Sequence, residues 1–248
     1  PAPTVALVAL AWRRAIRSPI KLLYAAYPLL LVVGVFADIV QTGRIPGYLP
    51  VGVLVFVAWA AGVLFTLNPL GDQGAVLPAT ILSRVDGRQF VGAHMLASLV
   101  VAVPLGTLAT GVIALVSPLA VSTAAVLVAA TPLVLIAASA TSVGIGMAFP
   151  RFEAVNVTRS MKAVVPSLVS FVLFTLYLVT TVAAAVTVDS EVARAIGAAL
   201  LNAVLPFGLA VAPETLFVVA AVALAALVVV PVVSYRYAVG AFDDYALA

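Results

Sequence analysis

Residues 67–90 read LNPLGDQGAVLPATILSRVDGRQF, and they lie between two long apolar runs, 47–67 and 91–116. Asp72, Arg84, Asp86 and Arg88 crowd into this stretch, in a chain of 248 residues that is 65% hydrophobic and only 8% charged. So polar an interval inside so apolar a chain is a loop between two membrane spans. The side of the membrane on which it lies follows from the distribution of charge along the rest of the sequence.

A soluble domain cannot carry this composition, because it lacks the polar residues to cover its surface; the mean hydropathy is +1.28. A helix needs about 20 apolar residues to cross roughly 30 Å of hydrocarbon, and several segments qualify. Barrel strands would alternate apolar and polar residues, whereas these runs are continuous and rich in Ala, Leu and Val. With no cysteine there is neither a disulfide framework nor a thiolate metal site.

Spans are expected at 20–40, 47–67, 91–116, 120–148, 165–187 and 214–235. Before them, residues 4–18 predict a helix along the membrane surface. Arg13, Arg14, Arg17 and Ser18 share one arc, and Val5, Val8, Trp12, Ala15 and Ile16 share the opposite one. Pro19 ends that helix. The segment 190–211 is interrupted by Asn202, Pro206 and Gly208, which suits a re-entrant or surface helix better than a span. Ser190 is placed to cap its start, and Glu191 to pair with Arg194.

With six spans and the N-terminus inside, the cytoplasmic side receives Arg13, Arg14, Arg17, Lys21, Arg84, Arg88, Arg151, Arg159, Lys162 and Arg236, and the outside only Arg44 and Arg194. This ten-to-two asymmetry obeys the positive-inside rule. The expected fold is therefore all-α and polytopic, one transmembrane domain over 1–248. It has an interfacial helix at 1–19, six spans, cytoplasmic loops at 68–90 and 149–164, and an external re-entrant segment at 188–213. Both termini are cytoplasmic, and the lipid bilayer is the cell membrane.

Within the first loop, Pro78 and Gly87 delimit a short helix over 77–86. Leu77, Ile81, Leu82 and Val85 form one side of it, and Thr80, Ser83, Arg84 and Asp86 the other. Such a helix docks its apolar side into a groove of a soluble partner, or lies on the membrane surface.

Motifs for chemistry are missing. There is no GxxxxGK[ST], so the chain is not its own P-loop ATPase, and no HExxH. The single histidine, His94, stands at a span entry and is expected to be packed or interfacial. Gly144-x-Gly146 lies inside a span and suits helix packing, as do Ala137, Ala140 and Thr141. Asn156-Val-Thr158 matches a glycosylation pattern on the wrong side of the membrane. Asp243-Asp244 in the tail is expected to be solvated. Asp38 and Glu214 sit at outer span ends, so no relay of buried carboxylates suggests an ion-coupled pump. No catalytic residue, metal ligand, cofactor or nucleic-acid partner is expected.

These features together resemble type-2 ABC transporter permeases. The shared pattern is six spans with both termini inside, an amphipathic helix before the first, a polar loop between the second and third, and a broken external helix before the last. In GDQGAVLPATILSRVDGRQFVGAHML, Leu77, Pro78 and Ser83 match, with Arg88 opening the next span. GIGMAFPRFEAVNVTRS is similar to the end of span four in archaeal members, at Phe149, Pro150, Arg151, Phe152 and Glu153. A chain rich in Ala and Val and poor in Lys suits a GC-rich prokaryote, such as a haloarchaeon. The start at Pro1 suits a processed chain or one half of a longer one.

The resemblance implies an exporter subunit without enzymatic activity of its own. A separate ABC ATPase subunit would dock on it, and a second permease half, identical or homologous, would complete the path. Leu77, Ile81, Leu82, Arg84, Val85, Asp86 and Arg88 would then form the ATPase-coupling element, with Arg151, Glu153 and Arg159 as a second cytoplasmic contact. The competing expectations are a non-catalytic membrane scaffold or assembly protein and a membrane-embedded enzyme. The enzyme would need a cluster of Asp, His or Ser at membrane depth.

Overall fold

A computed structural model of the chain describes residues 2–17, 23, 25–26, 29–156, 162–204 and 210–245. Helix α1 is Ala2–Arg17, α2 is Leu29–Thr42 and α3 is Leu49–Ala61. A π turn, Gly62–Thr66, and a 3-10 turn, Gly71–Val76, lead into the short α4, Leu77–Leu82. Then come α5, Gly87–Val116, and α6, Val121–Ala148. The strands β1, Val155–Asn156, and β2, Lys162–Ala163, pair antiparallel with Val155 opposite Ala163. The last helices are α7, Leu168–Asp189, α8, Glu191–Val204, and α9, Pro213–Asp243.

Among the described residues, five stretches are long and apolar enough to cross a membrane: Leu49–Leu82, Gly87–Val116, Val121–Ala148, Leu168–Asp189 and Pro213–Asp243. The first covers the expected span 47–67 and runs on through residues 68–82 of the expected loop, and the other four overlap the third to sixth expected spans. The expected first span, 20–40, falls partly on residues outside the described ones. Its described part is residues 23, 25–26 and most of α2, whose 14 residues rise about 21 Å. Pro104, Pro132 and Pro231 stand inside α5, α6 and α9, a placement that membrane helices tolerate.

Contacts divide the chain into two compact units, Pro1–Phe174 with Pro231–Ala248, and Thr175–Val230. In the larger unit α5 packs on α6, α3 and α1. Small side chains face inward: Ala93, Ala97, Ala138, Ala140 and Ala238 are buried, while Leu108, Leu115, Val121 and Leu133 are exposed. This inversion fits a bilayer, where large apolar groups gain nothing by leaving the lipid and small ones let helices approach. The expected packing role of Gly144-x-Gly146 holds. A Cβ on Gly144 would come within 2.6 Å of Ser234 Cβ, and one on Gly146 within 2.5 Å of the Leu67 carbonyl. Thr141 is buried at the same level.

A second core cluster sits where the polar loop meets the helix ends. Leu70, Leu77, Phe90, Val91, Val143, Met147, Ala238 and Phe242 are buried together. Phe90 and Phe242 stack with ring centroids 4.1 Å apart, so α9 continues well past the expected span end at 235.

The smaller unit holds α8. Ser190 caps it as expected, its Oγ accepting from the Ala193 N–H at 3.2 Å. Arg194 lies 3.8 Å from Glu191, and its Nη1 also donates to the carbonyls of Thr187 at 3.1 Å and Val188 at 2.8 Å. It thereby satisfies the last carbonyls of α7. Asn202 clamps the returning chain: its Oδ1 accepts from the Val211 N–H at 2.7 Å, and its Nδ2 donates to the Val211 carbonyl at 3.1 Å. The 14 residues of α8 rise about 21 Å, short of a bilayer crossing. Pro206 and Gly208 lie outside the described residues.

Candidate functional site

The polar loop and the loop after α6 meet at one end of the larger unit, and Asn68 joins them. Its Oδ1 accepts from the Arg151 N–H at 2.9 Å, and its Nδ2 donates to the Arg151 carbonyl at 2.9 Å. An amide side chain has the donor and acceptor spacing of a peptide, so it pairs with a peptide as a strand would. Gly71 sits against the same place, where any Cβ would collide with the Arg151 carbonyl. In the sequence Asn68 stands only as the first residue of the expected loop 68–90. The available signal was a buried-side Asn followed by two glycines, which demands a partner for the amide.

The helix expected over 77–86 ends at Leu82. Ser83 follows, donating its hydroxyl to the Thr80 carbonyl at 2.7 Å, and Arg84 takes φ +58°. That left-handed position after a helix is one glycine usually fills. Gly87 therefore does not close this helix; it opens α5. Asp86 is the α5 N-cap, its Oδ1 accepting from the Gln89 N–H at 2.7 Å while the Gln89 Oε1 accepts from the Asp86 N–H at 3.4 Å. The pattern Asp-x-x-Gln was the available signal for this capping box, but the expected helix over 77–86 absorbed Asp86. A second carboxylate reaches the same helix end: Asp243 Oδ1 accepts from the Gly87 N–H at 2.6 Å. The tail aspartate expected to be solvated thus serves as a cap from α9, where negative charge is favoured.

The expected two sides of α4 are redistributed. Leu77 is 5% exposed, and Ile81 and Val85 pack against the same core cluster. Leu82, placed with them on the wheel, is 77% exposed. Thr80, placed on the polar side, is buried. At 3.6 residues per turn Thr80 lies about 60° from Leu77 and Leu82 about 140° from it, so the expected grouping had set these two residues on the wrong sides, and the observed faces follow the helical period. The outward surface consists of Pro78, Ala79, Leu82, Ser83, Arg84, Asp86 and Arg88. Of the second proposed contact, Arg151 has its peptide held by Asn68, Glu153 is exposed, and Arg159 lies outside the described residues.

Thr80 begins a buried polar chain. Its hydroxyl donates to Gln73 Oε1 at 3.3 Å, the Gln73 Nε2 faces His94 Nε2 at 3.3 Å, and His94 Nδ1 lies 2.9 Å from the Phe90 carbonyl. A carbonyl only accepts, so Nδ1 carries a proton, and the Gln73 amide donates to Nε2. His94 is 3% exposed, which agrees with the expectation of a packed histidine. The chain locks α4 to the first turns of α5.

Arg14 corrects the reading of α1. It was expected on the headgroup arc with Arg13 and Arg17, which are exposed. Instead it turns inward, beside Asp72, His94, Ala11 and Phe65, around a gap with room for about one water. Burial lowers its pKa from the usual value, and the Asp72 charge partly opposes that shift. The arc packed on protein is Leu7 and Ala15, with Ala11 partly buried, while Val5 and Ile16 are exposed. Apolar residues of an interfacial helix face lipid, and the small residues allow close packing on the bundle.

The chain matches no protein-family model, no curated protein and no solved structure.

Proposed function

We propose that this chain is the membrane-spanning subunit of an ATP-driven transporter, an exporter permease of the type-2 ABC class. A separate ATPase docks on α4 from the cytoplasm, and a second permease half completes the translocation path. The observation that carries this reading is the construction of α4. It is a short helix in a polar loop, fixed inward by Leu77, Thr80 and Ile81, and it presents Leu82, Arg84, Asp86 and Arg88 outward. A force on the outer face would pass through Thr80, Gln73 and His94 into α5, and through Asp86 and Asp243 to the ends of α5 and α9. A helix that merely lay on the membrane would need no such linkage. The charge asymmetry supports a cytoplasmic position for this end and an external one for α8, which enters the membrane without crossing it.

The test is ATP hydrolysis by candidate ABC ATPases, beginning with any encoded beside this gene, co-reconstituted with the chain in lipid vesicles. The wild-type chain should stimulate hydrolysis. Leu82→Asp, which buries an unpaired charge on docking, should reduce the stimulation at least about tenfold without changing the thermal midpoint of the chain alone. Full stimulation by Leu82→Asp would remove α4 as the coupling element.

A further inference from the structure

We propose that the groove between α1, α3 and α5 binds one anionic phospholipid, with an acyl chain along the groove and the phosphate on Arg13 and Arg17. The groove encloses about 330 Å³ and is walled by Trp12 and Ile16 of α1, Phe56 and Ala60 of α3, and Val101 and Leu105 of α5. It runs along the spans. Phe56 to Phe65 is nine residue steps and Ser98 to Leu105 seven, about 13 and 10 Å of helix rise.

The chemistry of the lining selects the occupant. Apart from the Ser98 hydroxyl, which already donates to the Ala61 carbonyl at 3.2 Å, and the indole of Trp12, the wall is made of Ala, Val, Leu, Ile and Phe side chains. Such a lining selects hydrocarbon for the part of the ligand inside. Ile16 is 70% exposed, Leu105 59% and Val101 36%, so the groove is open along one edge, through which a chain can enter from the surrounding lipid. The charges lie at the α1 end. Arg13 precedes Ile16 by one helical turn and Arg17 follows it, and both are exposed. Arg14 is turned away towards Asp72, so the cationic pair beside the groove is Arg13 and Arg17. An apolar slot with two exposed arginines within one helical turn of its rim residue Ile16 complements a phosphate-headed lipid of net negative charge.

The experiment is native mass spectrometry of the chain released from bilayers of equal phosphatidylglycerol and phosphatidylcholine. One phosphatidylglycerol should remain on each wild-type chain. Ala60→Leu fills the slot and should lose most of the retained lipid. If that variant has a lower thermal midpoint than wild type in lipid-free detergent, Val101→Trp at the open edge replaces it, with the same expectation. Arg13→Gln with Arg17→Gln should keep the site but lose its choice of headgroup. Each basic residue near an anionic surface contributes about fivefold, so the pair sets a preference of roughly 25-fold. No retained lipid, retention undiminished in the filled variant, or an unchanged headgroup preference would overturn the proposal. So would a cysteine at position 101 that crosslinks in bilayers to a cysteine in α2 or to a second chain, because protein would then occupy the groove. None of these outcomes depends on the ATPase reading.

Discussion

Asn68 and Arg84 show what single residues contribute at the polar end. Asn68 satisfies both the N–H and the carbonyl of Arg151. Asn68→Ala leaves both groups unpaired and should cost about 2–4 kcal/mol, measured by denaturant unfolding in detergent. Asn68→Asp keeps an acceptor but sets a buried carboxylate against the Arg151 carbonyl, and should cost at least as much. Arg84 holds φ +58°, where a β-branched side chain is strained and glycine is not. Arg84→Gly should leave the thermal midpoint unchanged or raised, while Arg84→Val should destabilise by about 1–2 kcal/mol. The roles of these residues were hidden in the sequence for a physical reason. Asn68 pairs with a peptide 83 positions away, and a left-handed arginine leaves no mark in composition. For His94 the expectation left packed and interfacial both open, and its burial, at 3% exposed, selects the first.

At the scale of elements, the long helices were readable because their apolar runs are continuous and their ends are punctuated. The start of α5 was misplaced, with Asp86 counted into the preceding helix and Asp243 left to solvent. The Asp86–Gln89 capping box is local, whereas the Asp243 cap comes from the far end of the chain. Asp86→Ala should cost about 1 kcal/mol as a lost N-cap. Asp243→Ala should cost about 1.5–3 kcal/mol, because a hydrogen bond to a charged group is lost. Asp244→Ala, one residue on, should stay within about 0.5 kcal/mol of wild type. Urea unfolding of the three variants in one detergent checks the ranking. The two sides of α4 were misread because Leu82, about 140° round the helix from Leu77, was grouped with it, while Thr80, about 60° away, was set opposite. In consequence Ile81→Asp strikes the core and tests folding, whereas Leu82→Asp strikes the outward surface and tests docking.

For the whole molecule, composition alone settles that the chain belongs in a bilayer, and the exposed Leu and Val of the spans with buried Ala and Gly agree. What no composition could show is that three distant segments converge at one end: the loop before α5, the loop after α6 and the tail of α9. All three had been assigned to the same side from charge alone. The central claim, that this end faces the cytoplasm with α4 outermost, is tested most directly by cysteine labelling. The chain has no cysteine of its own, so one introduced at Leu82, 77% exposed, and one at Arg44 report without background. With a membrane-impermeant maleimide in intact cells, Arg44→Cys should react, and Leu82→Cys should react only after the membrane is opened. Labelling of Leu82→Cys in intact cells, with Arg44→Cys protected, would contradict the account.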